Sequence, residues 1–146
     1  MAFRISLDVH RSPSDVFAFV ADFRNMPAWY EAVERVTAET STPVATGTRF
    51  HMVRSLPGGL AHNDVEVTSC RADAEITFTS TSGPTPFQYR YRFEPVPDGT
   101  RLTLDGEISG AGLPGLAGHV GDGLASRLFK QGMRKNLEAL KKLVEA

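Results

Sequence analysis

Polar and apolar residues alternate from the start of the chain. Phe3, Ile5, Leu7 and Val9 interleave with Arg4, Ser6, Asp8 and His10, the period of a strand with one buried face. Ser12-Pro13-Ser14-Asp15 then opens a short helix carrying Val16, Phe17, Phe19 and Val20, and the stretch from Asp22 to Trp29 turns out of it. Further strand patterns follow at 33–39, at 48–55 with Phe50 and Met52 in phase, and at 61–70 with Val65 and Val67 in phase. Another runs over 75–81 with Ile76 and Phe78 on one face. Phe87, Tyr89, Tyr91 and Phe93 alternate with Gln88, Arg90, Arg92 and Glu94, an aromatic face in and a charged face out. Leu102, Leu104, Gly106 and Ile108 complete the series. Leu56-Pro57-Gly58-Gly59, Ser82-Gly83-Pro84 and the 95–99 stretch carry turn chemistry. Connections this short cannot hold a crossover, so neighbouring strands are antiparallel.

From Leu116 the period becomes helical. Leu116, Val120, Leu124 and Leu128 form one stripe, continued by Phe129, Met133, Leu137, Leu140 and Val144. A helix from there to the end of the chain is roughly 40 Å long, enough to cross a sheet. The pattern predicts an α+β fold in which a sheet wraps the last helix and leaves a cavity beside it. Lys130, Arg134, Lys135, Lys141 and Lys142 fill the helix's other face, which reads as solvated; the last of them suit the helix dipole without a partner.

Composition narrows the function classes. The 146 residues fit one domain, with 41% hydrophobic and 23% charged residues. Sixteen basic and 17 acidic residues leave a net charge of −1, so no global field recruits nucleic acid or an anionic membrane. The single cysteine, Cys70, precludes an internal disulfide and fits a reducing compartment. No run approaches the roughly 18 apolar residues of a membrane span, and no signal-peptide layout opens the chain. The expectation is a soluble, cytoplasmic protein with no nucleic-acid partner and no stable membrane insertion.

Ser12-Pro13-Ser14-Asp15-Val16-Phe17 through Asp22-Phe23, then Met26-Pro27-Ala28-Trp29, resembles the opening of the START-like, polyketide cyclase/dehydrase superfamily. Gly47-Thr48-Arg49-Phe50 and the terminal Asn136-Leu137-Glu138-Ala139-Leu140-Lys141-Lys142 are similar as well. The resemblance spans residues 1–146 as a single domain and implies the helix-grip architecture: a curved antiparallel sheet around a long C-terminal helix, with two short helices closing one end. It implies a small, largely apolar ligand of lipid, polyketide or aromatic type. Relatives include lipid carriers, hormone receptors, aromatic polyketide cyclases and stress-response proteins. They share no universal catalytic motif, so no catalytic residue carries over by position.

Candidate chemistry follows from strand phase. Arg54 continues the Phe50, Met52 period and points inward; Asn63, in phase with Val65 and Val67, faces the same way. At the sheet's open end Arg54 would snorkel to water; deeper, it would meet a carboxylate or phenolate of a ligand. Tyr89 and Tyr91 bring hydroxyls that need partners. Trp29 closes the cavity's end. The lining is Phe50, Met52, Phe78, Tyr89, Tyr91, Leu104, Val120 and Leu124, with Trp29, Arg54 and Asn63 completing the expected ligand-binding set. An enzyme reading, a cyclase or dehydratase on a poly-keto chain, needs an inward acid or base, for which Arg54, Tyr89 and His119 are the candidates. A third reading uses the same cleft for a protein partner, which no sequence feature indicates.

Three signals are set aside. Gly110-Ala111-Gly112-Leu113-Pro114-Gly115 has dinucleotide-binding spacing, but it follows an antiparallel strand and no βαβ unit surrounds it, so no cofactor is expected. The glycines from Gly106 to Gly123 read instead as a mobile gate. His10, His51, His62 and His119 show no ligand spacing, which argues against a metal site, and the first three fall on outward phases. Asp64 with Glu66, and Asp105 with Glu107, fall on the charged outer face.

Overall fold

The computed structural model describes residues 1–39, 43–109 and 122–146, with side chains of the last segment from 127 onward. Seven strands form one antiparallel sheet in the order β1-β7-β6-β5-β4-β3-β2. They are β1 Ala2–Val9, β2 Val33–Ala38, β3 Arg49–Leu56, β4 Gly59–Arg71, β5 Glu75–Ser82, β6 Phe87–Val96 and β7 Gly99–Ile108. Strands β2 to β7 run in sequence across the sheet, and β1 pairs with β7 at the far edge. The chain therefore has to travel from one sheet edge to the other between β1 and β2. Helix α1 (Pro13–Ala21), a 3-10 turn (Phe23–Asn25) and helix α2 (Met26–Trp29) make that passage.

Local chemistry fixes the passage. The Ser12 side chain accepts from the Asp15 backbone N–H at 3.2 Å, and Pro13 takes the first helical turn, where its missing N–H costs nothing. Asp22 ends α1 and caps the next turn, accepting from the Arg24 N–H at 3.2 Å and from both ends of its guanidinium at 2.8 and 3.0 Å. Val16, Val20, Phe23, Met26 and Trp29 all turn into the core.

Helix α3 (Asp122–Glu145) packs on β1, α1 and α2. Met133, Leu137 and Leu140 are fully buried, and Phe129 meets the Phe3 ring edge-on at 5.3 Å. Its last turn is tied down. Lys141 donates to the Asp8 carbonyl at 2.7 Å, and Arg11 to the Glu145 carbonyl at 2.8 Å. Lys141 is thus partnered, not merely solvated. Leu128 departs from the expected stripe: it is 58% exposed. The core face is set by Phe129, Met133, Leu137 and Leu140, and Leu128 lies about 100° around the helix from Phe129.

The aromatic face of β6 is buried as its alternation requires. On the other face of the sheet Glu75 and Thr77 are buried too, which alternation alone does not show. Glu75 accepts from Ser69 at 2.6 Å and from Arg90 at 2.6 and 2.9 Å. Asp105 is shared by Arg4 and Arg92. Of the glycines read as a gate, Gly106 is a strand residue opposite Phe3 and Tyr89, and a Cβ there would lie 2.2 Å from the Phe3 ring. Its role is close packing. Gly123 lies within α3, and Gly110, Gly112, Gly115, Gly118 and Gly121 lie outside the described residues, as does the whole 110–115 motif.

Candidate functional site

Inward phase on β3, β4, β5, β6 and β7 collects one set of side chains between the sheet and α2. Phe50, Met52, Phe78, Tyr91 and Leu104 are buried and pack on one another. Phe50 stacks on Phe23 with centroids 4.2 Å apart, and meets Phe78 edge-on at 5.8 Å; Phe78 meets Tyr91 at 6.0 Å. The Trp29 ring stands edge-on to Tyr91 at 6.3 Å. Its buried Nε1–H has no hydrogen-bond partner among the described residues. This half of the site is apolar.

The other half is polar and centres on Arg54, which is 3% exposed. It does not snorkel. Nε and Nη2 donate to Asn63 Oδ1 at 3.1 and 2.8 Å, and Nη2 also reaches the Pro84 carbonyl at 3.0 Å and the Thr85 hydroxyl. The guanidinium lies 5.0 Å over the Phe87 ring. Asn63, fully buried, returns two bonds from Nδ2, to the carbonyls of Ser82 at 3.1 Å and Pro84 at 2.9 Å. Every one of these acceptors is neutral. Among the described residues no carboxylate pairs with Arg54, and its Nη1 has no hydrogen-bond partner.

The β5–β6 turn makes this cage. Gly83 sits at φ +99°, and a Cβ there would lie 2.2 Å from the His62 carbonyl, so only glycine lets the turn close onto β4. Thr85 follows at φ +51°, an uncommon conformation for a β-branched residue, and is fully buried. Its hydroxyl donates to the Pro84 carbonyl at 2.7 Å and accepts from Arg54. Strain held at a buried polar cluster of this kind marks a position the surroundings over-determine.

Two tyrosines adjoin the cage. Phe87 stacks on Tyr89 at 4.8 Å, and the Tyr30 hydroxyl donates to the Tyr89 hydroxyl at 3.2 Å. Burial pushes the Tyr89 and Tyr91 phenols well above their ordinary range, and Tyr30 upward, because the phenolate would lose its water. Tyr30's hydrogen bond to Tyr89 and the Arg54 charge oppose that rise on Tyr30 without cancelling it. At neutral pH both hydroxyls are protonated donors.

The structure thus places Trp29, Phe50, Met52, Arg54, Asn63, Phe78, Tyr89, Tyr91 and Leu104 in one buried region. His119 and Val120 lie outside the described residues, as does the Leu124 side chain. Sequence reasoning missed Tyr30 and Thr85. Tyr30 follows Trp29 in a turn with no period to assign its direction. Thr85 looks like an ordinary turn residue, and only the left-handed backbone turns it inward.

A seven-stranded antiparallel sheet, short helices linking its edges and a long C-terminal helix define the helix-grip fold of the START superfamily. Residues 2–145 match the family described as polyketide cyclase / dehydrase and lipid transport, and the chain belongs to that family. A START superfamily protein from Mycobacterium smegmatis superposes with a TM-score of 0.78 at 18% identity, over 99% of this chain and 97% of that one. The di-domain ARO/CYC StfQ from the steffimycin biosynthetic pathway gives 0.76 at 19% identity, over 99% of this chain and 50% of that one. The protein TTHA0849 from Thermus thermophilus gives 0.72 at 20% identity, over 99% and 94%. No curated protein matched the sequence. No helix among the described residues is long and apolar enough to cross a membrane.

Proposed function

We propose that the protein binds a small, largely apolar or aromatic molecule carrying an anionic or keto oxygen, between the sheet and α3. The observation that carries this reading is Arg54: a buried guanidinium whose hydrogen-bond acceptors among the described residues are all neutral. Burying a charge without a counter-ion is costly, and a ligand oxygen would offset that cost. The neutral Tyr89 hydroxyl, which accepts from Tyr30, supplies a further donor, and the Trp29 ring and Phe50, Phe78 and Leu104 supply the apolar wall.

Binding is favoured over general acid catalysis by the tyrosines themselves. A useful acid has a pKa near the working pH, whereas burial moves Tyr89 and Tyr91 the other way. They suit holding an oxygen better than protonating it.

The test is a dye pair of similar shape. The anionic 8-anilinonaphthalene-1-sulfonate should bind saturably, one per chain, and more tightly than the neutral N-phenyl-1-naphthylamine. In Arg54→Met that preference should fall by about ten- to a hundredfold, the equivalent of one hydrogen bond to a charged group. Tyr89→Phe, which keeps the ring and removes one donor, should weaken the sulfonate dye and leave the neutral dye nearly unchanged. Equal binding of the two dyes by the wild type overturns the reading. Native mass spectrometry of the purified protein then reports the mass of any retained molecule.

A further inference from the structure

On the opposite face of the sheet, away from Arg54, two histidines and an aspartate meet across β3 and β4. His51 pairs in register with Asp64, and His62 with Val53, so the two histidines are diagonal neighbours. His51 Nδ1 lies 3.0 Å from Asp64 Oδ1, and His51 Nε2 lies 3.1 Å from His62 Nδ1. Asp64 is itself held, Oδ2 accepting from the Ser82 hydroxyl at 2.8 Å. Both of its oxygens are thus engaged, one by His51 and one by Ser82. His51 Nδ1 faces Oδ1, an arrangement that suits a proton on Nδ1, and Nε2 is turned to His62. His62 is exposed and His51 half-exposed, so solvent reaches both rings.

The nitrogen separation of this hydrogen bond is also one that a chelate spans. Two imidazole nitrogens on one ion, each at about 2.0–2.1 Å, stand about 2.9 Å apart at a right angle and about 3.4 Å apart at the tetrahedral angle. The observed 3.1 Å falls between. A carboxylate on the far nitrogen of a metal-bound histidine is the usual outer partner, fixing tautomer and ring orientation. Asp64 already occupies that position.

We infer that His51 and His62 form a surface site for a divalent transition-metal ion of the copper, nickel or zinc type, with Asp64 orienting His51. Among the described residues no three histidine, cysteine or carboxylate side chains are placed to hold one ion, Asp64 lying behind His51, so water completes the coordination and the site stays open. Binding requires His51 Nε2 and His62 Nδ1 to offer lone pairs to the ion, with the remaining ring protons on His51 Nδ1 and His62 Nε2. The sequence hid this because the two histidines are eleven residues apart and meet only through the hairpin.

Calorimetric titration with copper(II) and zinc(II) chlorides tests the assignment. One ion should bind per chain, copper more tightly than zinc. His51→Gln and His62→Gln should each weaken copper by about tenfold or more. Asp64→Asn, which keeps both ligands, should cost about tenfold, as removal of an outer partner does. His10→Gln, at an exposed histidine elsewhere, should change nothing. The copper complex should show nitrogen hyperfine splitting from two imidazoles by electron paramagnetic resonance. Unchanged copper affinity in the His51→Gln/His62→Gln double variant, with the fold intact by circular dichroism, overturns the site. So does a wild type that shows no saturable binding.

Discussion

Two hydrogen bonds from the Arg54 guanidinium end on the single side-chain oxygen of Asn63, from Nε at 3.1 Å and Nη2 at 2.8 Å. Asn63 is more than an acceptor. Its Nδ2 also braces the carbonyls of Ser82 and Pro84, so one amide couples β3, β4 and the β5–β6 turn. The geometry ranks the consequences of removing either partner.

Arg54→Met strands the Asn63 oxygen but leaves the Pro84 carbonyl its bonds from Asn63 and Thr85. The expected cost is about 1–3 kcal/mol, for one buried group unpaired. Asn63→Leu takes from the buried Arg54 cation both of its bonds to Oδ1 and from the Ser82 carbonyl its side-chain donor, and should cost more. The double variant Arg54→Met/Asn63→Leu removes the conflict and should be more stable than the sum of the singles allows. Urea denaturation of the four proteins checks the ranking; strict additivity would show that the pair is not coupled.

A second prediction concerns Gly106. A Cβ there would come within 2.2 to 2.9 Å of three atoms of the Phe3 ring. That ring bridges Tyr89 at 6.1 Å and Phe129 of α3 at 5.3 Å. Gly106→Ala should push Phe3 off α3 and destabilise by about 1–3 kcal/mol, as overpacking does. Phe3→Leu in the same background should recover part of the loss. A Gly106→Ala protein of unchanged stability would mean that the ring is free to move.

How far the sequence carried is visible in these same residues. Alternation places most strand ends to within two residues, missing the first three of β7, and puts Phe50, Met52, Arg54, Asn63 and Tyr89 on the inner face, because period two is geometric. It does not reveal what Arg54 meets. That depends on the path of the 83–85 turn, set by a left-handed Gly83 packed on β4 and a left-handed Thr85. Phase likewise sends His51 and His62 outward but leaves their contact unseen, since register is a relation between strands. The stripe reading erred at Leu128 because a run of spacings of four drifts around a 3.6-residue helix.

Glu75 should make the protein acid-sensitive in a defined way. Ser69 and Arg90 hold its carboxyl below the usual range against the opposing effect of burial. A depressed folded-state pKa means stability that is present above the unfolded value of about 4.3 and lost as pH falls through the folded one. Glu75→Gln should therefore lower the melting temperature at pH 7, and the deficit should shrink at the lowest pH at which the protein stays folded. An equal deficit at both pH values would assign the effect to packing.

The alkaline side gives the sharpest reading, because the chain has only three tyrosines and all of them are buried. Tyr30, Tyr89 and Tyr91 all have phenols raised by loss of water around the phenolate. The folded state therefore keeps protons that the unfolded chain gives up. Stability from this source is fully present below the unfolded value of about 10 and is lost as pH rises beyond it. An exposed tyrosine would ionise near pH 10 while the protein stayed folded. Here phenolate absorbance at 295 nm should remain flat past that point, then rise in one step for all three residues together with the loss of far-ultraviolet circular dichroism. Tyr89→Phe should reduce the step by a third and leave its cooperativity unchanged. A gradual rise near pH 10 in a protein whose dichroism is intact would show that water reaches at least one phenol, and would remove the dry hydroxyl pair on which the ligand reading partly rests.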